Sequence, residues 1–174
     1  KPIVDEIKKS IWRVERIIKA TLLFTKGVAI KKSDFELKQL EEEMRGAIGH
    51  YSYSKDIEFD LNLPNISIQG DFELISMVIQ NMIFNAIDAI EDTKEDTGVI
   101  RLYLDEDDGF FYLAVEDSGV PIADKSMLFD PFKTTKTKGN GLGLALSLQI
   151  ANAHGGKIEI GEPKCFRLSI SKEL

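Results

Sequence analysis

Helical and strand-like patterns do not alternate strictly along this chain, and their order limits the folds that it can form. Two segments of helical periodicity come first, and segments in which apolar and polar residues alternate follow them. Later, strand-like residues 99–104 and 110–116 are separated only by a short polar turn, the pattern of an antiparallel hairpin. The order predicts an α+β two-layer sandwich: a mixed, mostly antiparallel sheet covered on one face by about three helices, preceded by one long amphipathic helix.

An apolar stripe runs through the first 27 residues at the spacing typical of helices that pack on other helices. Its members lie 3, 4, 3 and 4 residues apart: Val4, Ile7, Ile11, Val14 and Ile18. Gly27 is placed to end this helix. A bundle helix and an ordinary core-facing helix both give such a stripe, and the length of the repeat favours the bundle.

Capping residues mark two further helices. Ser33, with Glu36 three residues later, forms a capping box that predicts a second amphipathic helix through Ile48. Asp71 is placed to cap a long helix that runs to about Glu91. A last helix ends near residue 153, and the remaining strands are predicted at residues 57–61, 66–68, 157–160 and 165–171.

Size and charge exclude several classes of protein. With 174 residues and a net charge of −7, the chain can bury one core but lacks the basic face of a duplex-DNA binder or of a surface for anionic lipid. No apolar run reaches the ~20 residues of a membrane span, and no signal-peptide pattern is present. The single cysteine, Cys165, excludes an intrachain disulfide. We expect a cytoplasmic piece of a longer protein, without nucleic-acid or membrane contact.

A glycine loop that leads directly into a helical pattern is the clearest sign of a ligand site. Glycine occupies alternate positions at Gly139, Gly141 and Gly143, where backbone N–H groups can approach a ligand closely. The helix that follows directs its unpaired N-terminal donors and positive dipole end to the same place. This combination suits a polyphosphate. It is not the Rossmann fingerprint, because Leu144 breaks the required glycine spacing.

Polar residues elsewhere can meet such a ligand. Asn81 and Asn85 share one face of the predicted long helix, as surface amides or as oxygen ligands for Mg²⁺. Residues 117–119, Asp-Ser-Gly, follow a predicted strand. They are either an ordinary turn or a site in which the Asp carboxylate accepts a hydrogen bond from an exocyclic amine such as that of adenine. Residues 129–138 form either a solvated basic loop or a lid whose lysines neutralise phosphate.

Four segments in this order resemble the motifs of the ATP-binding domain of sensor histidine kinases. This domain belongs to the ATPase superfamily of gyrase B, Hsp90 and MutL. Residues 81–86 resemble the asparagine box, 117–119 the first glycine box, 128–132 the phenylalanine box and 139–144 the second glycine box. The resemblance covers nearly the whole chain, with some likeness to the nitrogen-regulator-like branch. It implies a Bergerat-type ATP-binding fold, with ATP and Mg²⁺ as cofactors.

The resemblance also implies roles for single residues. Asn85 would ligate Mg²⁺, and Asn81 would lie beside it near the phosphates. Asp117 would recognise the adenine amino group, and Gly119 would let the nucleotide approach. The ATP lid and the phosphate-binding donors would include Thr134, Thr135, Lys136, Gly139, Gly141, Leu142 and Gly143.

A division of the chain and a set of partners follow from the same resemblance. Residues 1–27 resemble the second, here truncated, helix of the dimerisation and histidine-phosphotransfer bundle, and residues 28–174 the ATP-binding catalytic domain. The implied kinase is a homodimer that phosphorylates a bundle histidine and then a response regulator. Neither His50 nor His154 matches the phosphoacceptor motif, so no catalytic residue is assignable and this chain alone is not expected to autophosphorylate.

Several positions depart from the family pattern. Pro121 replaces the second glycine of the first glycine box, Asp88 stands where many members have a basic residue, and Lys164-Cys165 replaces a frequent Gly-Thr pair. Pro121 and Cys165 keep open a nucleotide-binding interaction module without kinase activity. A hydrolase of the gyrase–Hsp90–MutL type is a second alternative, although Asn81 stands where such enzymes have a water-activating Glu. An anti-sigma serine kinase is a third, for which the first helix is unexpected.

Overall fold

The structure is a computed structural model that describes residues 1–121, 143–161 and 164–174. Four helices lie in these ranges: α1 (Pro2–Lys26), α2 (Leu37–His50), α3 (Phe72–Glu91) and α4 (Gly143–Ala153). The same ranges contain seven strands: β1 (Ser33–Glu36), β2 (Asp56–Leu61), β3 (Ser67–Gly70), β4 (Thr97–Glu106), β5 (Phe110–Asp117), β6 (Ile158–Gly161) and β7 (Cys165–Ser171). Apart from β1 and the start of α2, these elements agree with the predicted ones to within a few residues.

Five strands form one mixed sheet in the order β2-β4-β5-β7-β6. β2 and β4 pair in parallel, whereas the other three neighbouring pairs are antiparallel. The registers place Leu102 opposite Val115, and Val115 opposite Phe166. All three side chains are buried in the core, so they share the sheet face that the helices cover. The predicted mixed, mostly antiparallel sheet is confirmed.

α3 is the central helix of the layer that packs on this sheet. It contacts β4, β5 and β7, with α2 and α4 on its two sides. The carboxylate of Asp71 accepts from the N–H of Leu74 at 3.2 Å, which confirms the predicted cap at its start. By length and by the mean hydropathy of its most apolar 18-residue stretch (1.2), α3 could cross a membrane, but 61% of that stretch is buried within this fold. It is therefore the core helix of the domain.

The predicted capping box at Ser33 is wrong, because tertiary pairing takes this segment into a strand. β1 pairs antiparallel with β3 in a separate two-stranded sheet, with Phe35 opposite Ile68. Both of these side chains are buried, which gives the segment core contacts that an exposed first helical turn would lack. α2 begins at Leu37 without a side-chain cap, and the Leu37 N–H donates to the carbonyl of Ile66 at 3.0 Å.

α1 turns its predicted apolar stripe away from the domain. The exposed fraction of the stripe residues lies between 46% and 54%: Val4, Ile7, Ile11, Val14 and Ile18. The contacts with the core come from other positions of the helix, among them Trp12, Leu23 and Phe24. The stripe is therefore not the core-facing surface of an ordinary domain helix.

His154 directly follows α4 and is held through both ring nitrogens. The side chain is fully buried, and its Nε2 accepts from the backbone N–H of Asp71 at 3.0 Å. The proton is therefore on Nδ1, which donates to the carbonyl of Ile150 at 2.8 Å. Gly155, with φ of 72°, then ends the helix. His154 thus ties the end of α4 to the start of α3.

Candidate functional site

One face of α3 carries the two asparagines predicted for a ligand site. Asn81 and Asn85 are partly exposed, whereas Met82, Ile83 and Phe84 between them are buried. Because the two amides are one helical turn apart, they lie on the same face. Nδ2 of Asn81 is buried and has no hydrogen-bond partner among the residues that the structure describes. Such a donor is costly to bury and fits a site where a ligand provides the acceptor.

Gly143, the first residue of α4, lies directly against Asn81. A Cβ atom at position 143 would lie 2.3 Å from Oδ1 of Asn81, so a side chain there would displace the amide. The contact places the first turn of α4, whose N–H groups have no partner within the helix itself, beside this amide. The hydroxyl of Ser147 donates to the Gly143 carbonyl at 2.7 Å and closes this turn. The structure thus brings Gly143 and Asn81 together.

Asp117 and Gly119 lie beside the other end of the same helix face. Asp117 ends β5, and its carboxylate accepts from the N–H of Gly119 at 2.7 Å. A Cβ atom at Gly119 would lie 2.6 Å from Ala89, and the N–H of Val120 donates to the Ala89 carbonyl at 3.1 Å. Since Asn81 and Ala89 are eight residues apart, this face of α3 connects the two parts of the site over about 12 Å.

Lys164, which the sequence marks only as a departure from the family pattern, contacts Asp117. Its Nζ lies 3.4 Å from Oδ1 of Asp117, and only 8% and 1% of the two side chains are exposed. Nζ also donates to the Val120 carbonyl at 3.1 Å. On the backbone, the N–H of Asp117 donates to the Lys164 carbonyl at 3.3 Å. Strand pairing brings these residues together, so periodicity along the chain gave no sign of the pair.

Cys165 points away from Asp117. In the β5–β7 register it pairs with Glu116, and its Sγ lies 3.8 Å from the hydroxyl of Tyr103. The next residue, Phe166, is in the core, and side chains alternate between the faces of a sheet. Burial raises the pKa of the Cys165 thiol. Cys165 therefore belongs to the other sheet face, away from Asp117.

Basic side chains of α1 face the asparagines of α3. A cleft between the two helices is lined by Lys9, Arg13 and Arg16 from α1 and by Asn81 and Asn85 from α3. The three basic residues are four and three positions apart and so share one face of α1. Their spacing can be seen in the sequence, but only the packing of α1 on α3 relates it to the site. Positive charge therefore lies beside both amides.

An aromatic cluster fixes α1 beside this cleft. The ring of Phe84 stacks on Tyr51 with centroids 4.1 Å apart, and it meets the ring of Trp12 edge-on with centroids 5.5 Å apart. The guanidinium of Arg16 lies 4.5 Å from the Phe84 centroid, and burial lowers the pKa of Arg16. The Tyr51 hydroxyl donates to Asp88 at 2.7 Å; burial, followed by the charge of Asp88, raises the pKa of Tyr51. Asp88 thus supports the packing here.

Part of the predicted site lies outside the described residues. This part comprises residues 128–132 and Thr134, Thr135, Lys136, Gly139, Gly141 and Leu142. In the part of the chain that the structure describes, no three His, Cys, Asp or Glu side chains form a metal-binding cluster. The amide oxygen of Asn85 is the kind of ligand that Mg²⁺ can take together with phosphate and water.

Comparison with known proteins places this chain in a family. A family profile described as "Histidine kinase-, DNA gyrase B-, and HSP90-like ATPase" matches residues 70–174. The sensor histidine kinase FlgS of Helicobacter pylori is 46% identical over 173 residues, which are 98% of this chain and 45% of FlgS. The chain thus spans less than half the length of this relative.

Solved structures share the fold. The histidine kinase ThkA, in complex with the response regulator protein TrrA, is 28% identical with a TM-score of 0.65, covering 99% of this chain and 51% of that chain. The histidine kinase AdeS of Acinetobacter baumannii is 24% identical with a TM-score of 0.73, covering 92% of this chain and 77% of that chain. At that identity the likeness to AdeS concerns the fold alone.

Proposed function

We propose that this chain is the ATP-binding catalytic part of a two-component sensor histidine kinase. The premise is that the chain belongs to the family of histidine kinase-, DNA gyrase B- and HSP90-like ATPases. The 46% identity to FlgS supports the histidine kinase branch of that family. In the proposed reaction the chain presents the γ-phosphate of ATP to a histidine of a dimerisation helix bundle, from which a response regulator receives it.

The proposal rests on one face of α3 that two glycines approach closely, Gly143 at Asn81 and Gly119 at Ala89. At one end Nδ2 of Asn81, which has no hydrogen-bond partner in the described ranges, lies beside Gly143 and offers a donor for a phosphate oxygen. At the other end Asp117 and Gly119 close against the helix and offer an acceptor for the adenine amino group. An elongated ligand with an acidic end and a base at the other end matches this arrangement.

Charge supports the same orientation of the nucleotide. Lys9, Arg13 and Arg16 line the cleft at the asparagine end, whereas at the other end the charge of Asp117 is balanced by that of Lys164. Positive groups that are fixed before the ligand arrives stabilise phosphate charge without reorganising during transfer. Thr134, Thr135 and Lys136 of the proposed lid, with Gly139, Gly141, Leu142 and Gly143, would add to the phosphate contacts.

Asn85 is the proposed metal ligand. Its amide oxygen suits Mg²⁺. Asn81, one turn away, is not proposed as a ligand, so phosphate oxygens and water would complete the coordination of the ion. When bound, Mg²⁺ would supply positive charge to the polyphosphate. Asn85 would orient the ion, and Asn81 would donate to the phosphate.

The phosphoacceptor is proposed to come from the helix bundle. Both ring nitrogens of His154 are engaged and its side chain is fully buried, so it cannot attack a phosphate. We assign residues 1–27 to the second bundle helix and residues 28–174 to the catalytic domain. The exposed stripe of α1 supports this division, since it offers a surface for a second copy in a homodimer. The ThkA–TrrA complex supports a response regulator as partner.

ATP hydrolysis is a less suitable activity for this site. Position 81 would have to carry a carboxylate that activates water, and an asparagine amide cannot act as a general base. Water attack would therefore lack a catalyst, whereas transfer to a nucleophile supplied by the bundle needs mainly positioning and charge neutralisation.

The reaction can be tested with a longer chain that includes the helix bundle and with ATP labelled at the γ-phosphate. Acid-labile, base-stable label on a histidine supports the proposal, and Asp117→Ala should strongly reduce that label. Release of free phosphate without labelled protein would favour a hydrolase. ATP binding with neither outcome would favour a nucleotide-binding interaction module.

The metal assignment has its own test. Asn85→Ala should abolish the Mg²⁺-dependent part of ATP binding, measured by calorimetry with Mg²⁺ and with EDTA. If Mg²⁺ strengthens ATP binding by the same factor in this variant and in the unchanged chain, Asn85 is not the ligand.

A further inference from the structure

Lys164 lies beside Asp117, the residue proposed to bind the nucleotide base. The side chain is almost fully buried although it is a lysine, and its Nζ is 3.4 Å from the Asp117 carboxylate. Lysine is rarely buried without a specific partner because removing the ammonium from water is costly. The position of Lys164 is therefore a feature of the proposed base pocket.

The ammonium keeps one donor for a ligand. A lysine ammonium has three N–H donors. Among the described residues, the Val120 carbonyl accepts one at 3.1 Å and the carboxylate of Asp117 faces another. The third has no partner within those residues. A buried cation with a donor to spare beside a buried carboxylate offers a donor and an acceptor side by side.

Strand geometry directs Lys164 and not Cys165 towards the pocket. Lys164 immediately precedes β7, and its side chain lies with that of Asp117. Cys165 pairs with Glu116 on the other sheet face and contacts Tyr103 there. The lysine is thus the residue of this dipeptide that can touch a base.

We infer that Lys164 donates a hydrogen bond to N1 of the adenine ring while Asp117 accepts from the 6-amino group. N1 is an acceptor and the 6-amino group is a donor on adjacent atoms of adenine, so the pair matches that edge. This inference rests on the proposed function, because it places the base at Asp117. Lys164 is then a specificity-determining residue that contacts the substrate.

The contact can be isolated by combining a protein change with a change of one ring atom. The affinities of ATP and 1-deaza-ATP, in which C–H replaces N1, would be measured for the unchanged chain and for Lys164→Met. The unchanged chain should bind 1-deaza-ATP on the order of tenfold more weakly than ATP, as expected for the loss of a hydrogen bond to a charged group. In Lys164→Met this penalty should fall below about twofold, because the donor is already absent.

Controls separate a base contact from a structural role. If Lys164 only supported Asp117, Lys164→Met would weaken ATP binding but the penalty for 1-deaza-ATP would be the same in both proteins, which would overturn the inference. Lys157→Met removes a lysine that is 69% exposed on the neighbouring strand segment and should leave all affinities unchanged. 7-deaza-ATP, which keeps N1, should show no coupling to Lys164→Met.

A second variant at the same position serves as the test if Lys164→Met does not fold. If circular dichroism shows that Lys164→Met is unfolded, Lys164→Gln keeps a neutral donor and should retain an intermediate penalty for 1-deaza-ATP. A full penalty in Lys164→Gln, or none in the unchanged chain, would overturn the inference. A chain that binds ATP but shows no dependence on N1 contradicts the Lys164 contact alone, whereas a folded chain that binds no ATP contradicts the proposed function itself.

Discussion

Gly143 and Asn81 are in contact so close that no side chain fits between them: a Cβ atom at position 143 would lie 2.3 Å from Oδ1 of Asn81. The atom that it would meet is the end of a side chain, not backbone. The contact therefore constrains the asparagine amide more than it constrains the fold.

Gly143→Ala should accordingly separate nucleotide binding from stability. We expect ATP affinity to fall on the order of tenfold, because the Asn81 amide is displaced, while the unfolding free energy changes by less than about 1 kcal/mol, because alanine favours the helix. Calorimetry and urea unfolding would measure the two effects. Gly46→Ala in α2, where no atom lies within 4 Å of an added Cβ, should stabilise the domain without changing affinity. Unchanged ATP affinity in Gly143→Ala would contradict the role given to Asn81.

The hydrogen bond from Tyr51 to Asp88 should stabilise the packing around Phe84. Tyr51→Phe keeps the ring stack and removes the hydroxyl donor, so we expect a loss of about 1 kcal/mol of unfolding free energy. Tyr53→Phe, at a side chain that is 38% exposed, is the matched control and should have almost no effect. Equal unfolding midpoints in urea for the two variants would show that the Tyr51 hydroxyl contributes nothing.

The same tyrosine predicts how stability changes at high pH. Burial and the charge of Asp88 raise the pKa of Tyr51 in the folded state above its ordinary value of 10.0. The unfolded chain therefore loses this proton first, and the contribution of Tyr51 to stability, complete below pH 10, is lost as the pH rises above it. Urea unfolding between pH 8 and 11 should show a smaller decline for Tyr51→Phe than for the unchanged chain. Parallel declines would mean that other groups account for the loss.

Replacing Asp71 should lower the unfolding free energy more than replacing most other polar residues outside the site. Its two carboxylate oxygens accept from the N–H groups of Leu74 at 3.2 Å and Lys31 at 2.8 Å. Asp71→Ala leaves both donors without this partner and should cost about 2 kcal/mol. Asp71→Asn retains one acceptor oxygen and should cost less. An alanine variant as stable as the asparagine variant, by urea unfolding, would contradict this reading of the cap.

The exposed stripe of α1 should govern self-association. Ile7 and Ile11 are each 54% exposed, so replacing both by Glu places charge on the proposed dimer surface without entering the core. We expect sedimentation velocity to show dimers of the unchanged chain and monomers of the double variant, with the same ATP affinity. Lys8→Glu, an exposed change outside the stripe, should leave the dimer intact. A monomeric unchanged chain would refute the assignment.

The sequence predicted correctly those helices and strands whose formation depends mainly on residues close together in the chain. The Asp71 cap, the apolar positions of α3 and the β4–β5 hairpin depend on neighbours in the chain, and the structure confirms each of them. The capping box at Ser33 failed because β3 offers Phe35 a buried position opposite Ile68. A pairing of distant segments thus outweighed a local preference.

The residues of the candidate site also fall into two groups, those that local sequence signals identify and those that only the fold brings together. Asn81 and Asp117 could be identified because their residue types and spacing are unusual for a packed helix and a strand end. Lys164 could not, since its importance comes from the β5–β7 register that places it on Asp117. The basic face of α1 was equally hidden, because only the packing of Trp12 on Phe84 turns that face towards the asparagines.

The buried ring of His154 determines how α4 can respond to a ligand. It holds the C-terminal end of this helix to the backbone of Asp71, while the opposite end begins at Gly143 against Asn81. α4 is therefore held at its C-terminal end by His154, while its first residue, Gly143, packs closely on Asn81. A change in the position of the Asn81 amide would act first on the end of α4 that His154 does not anchor.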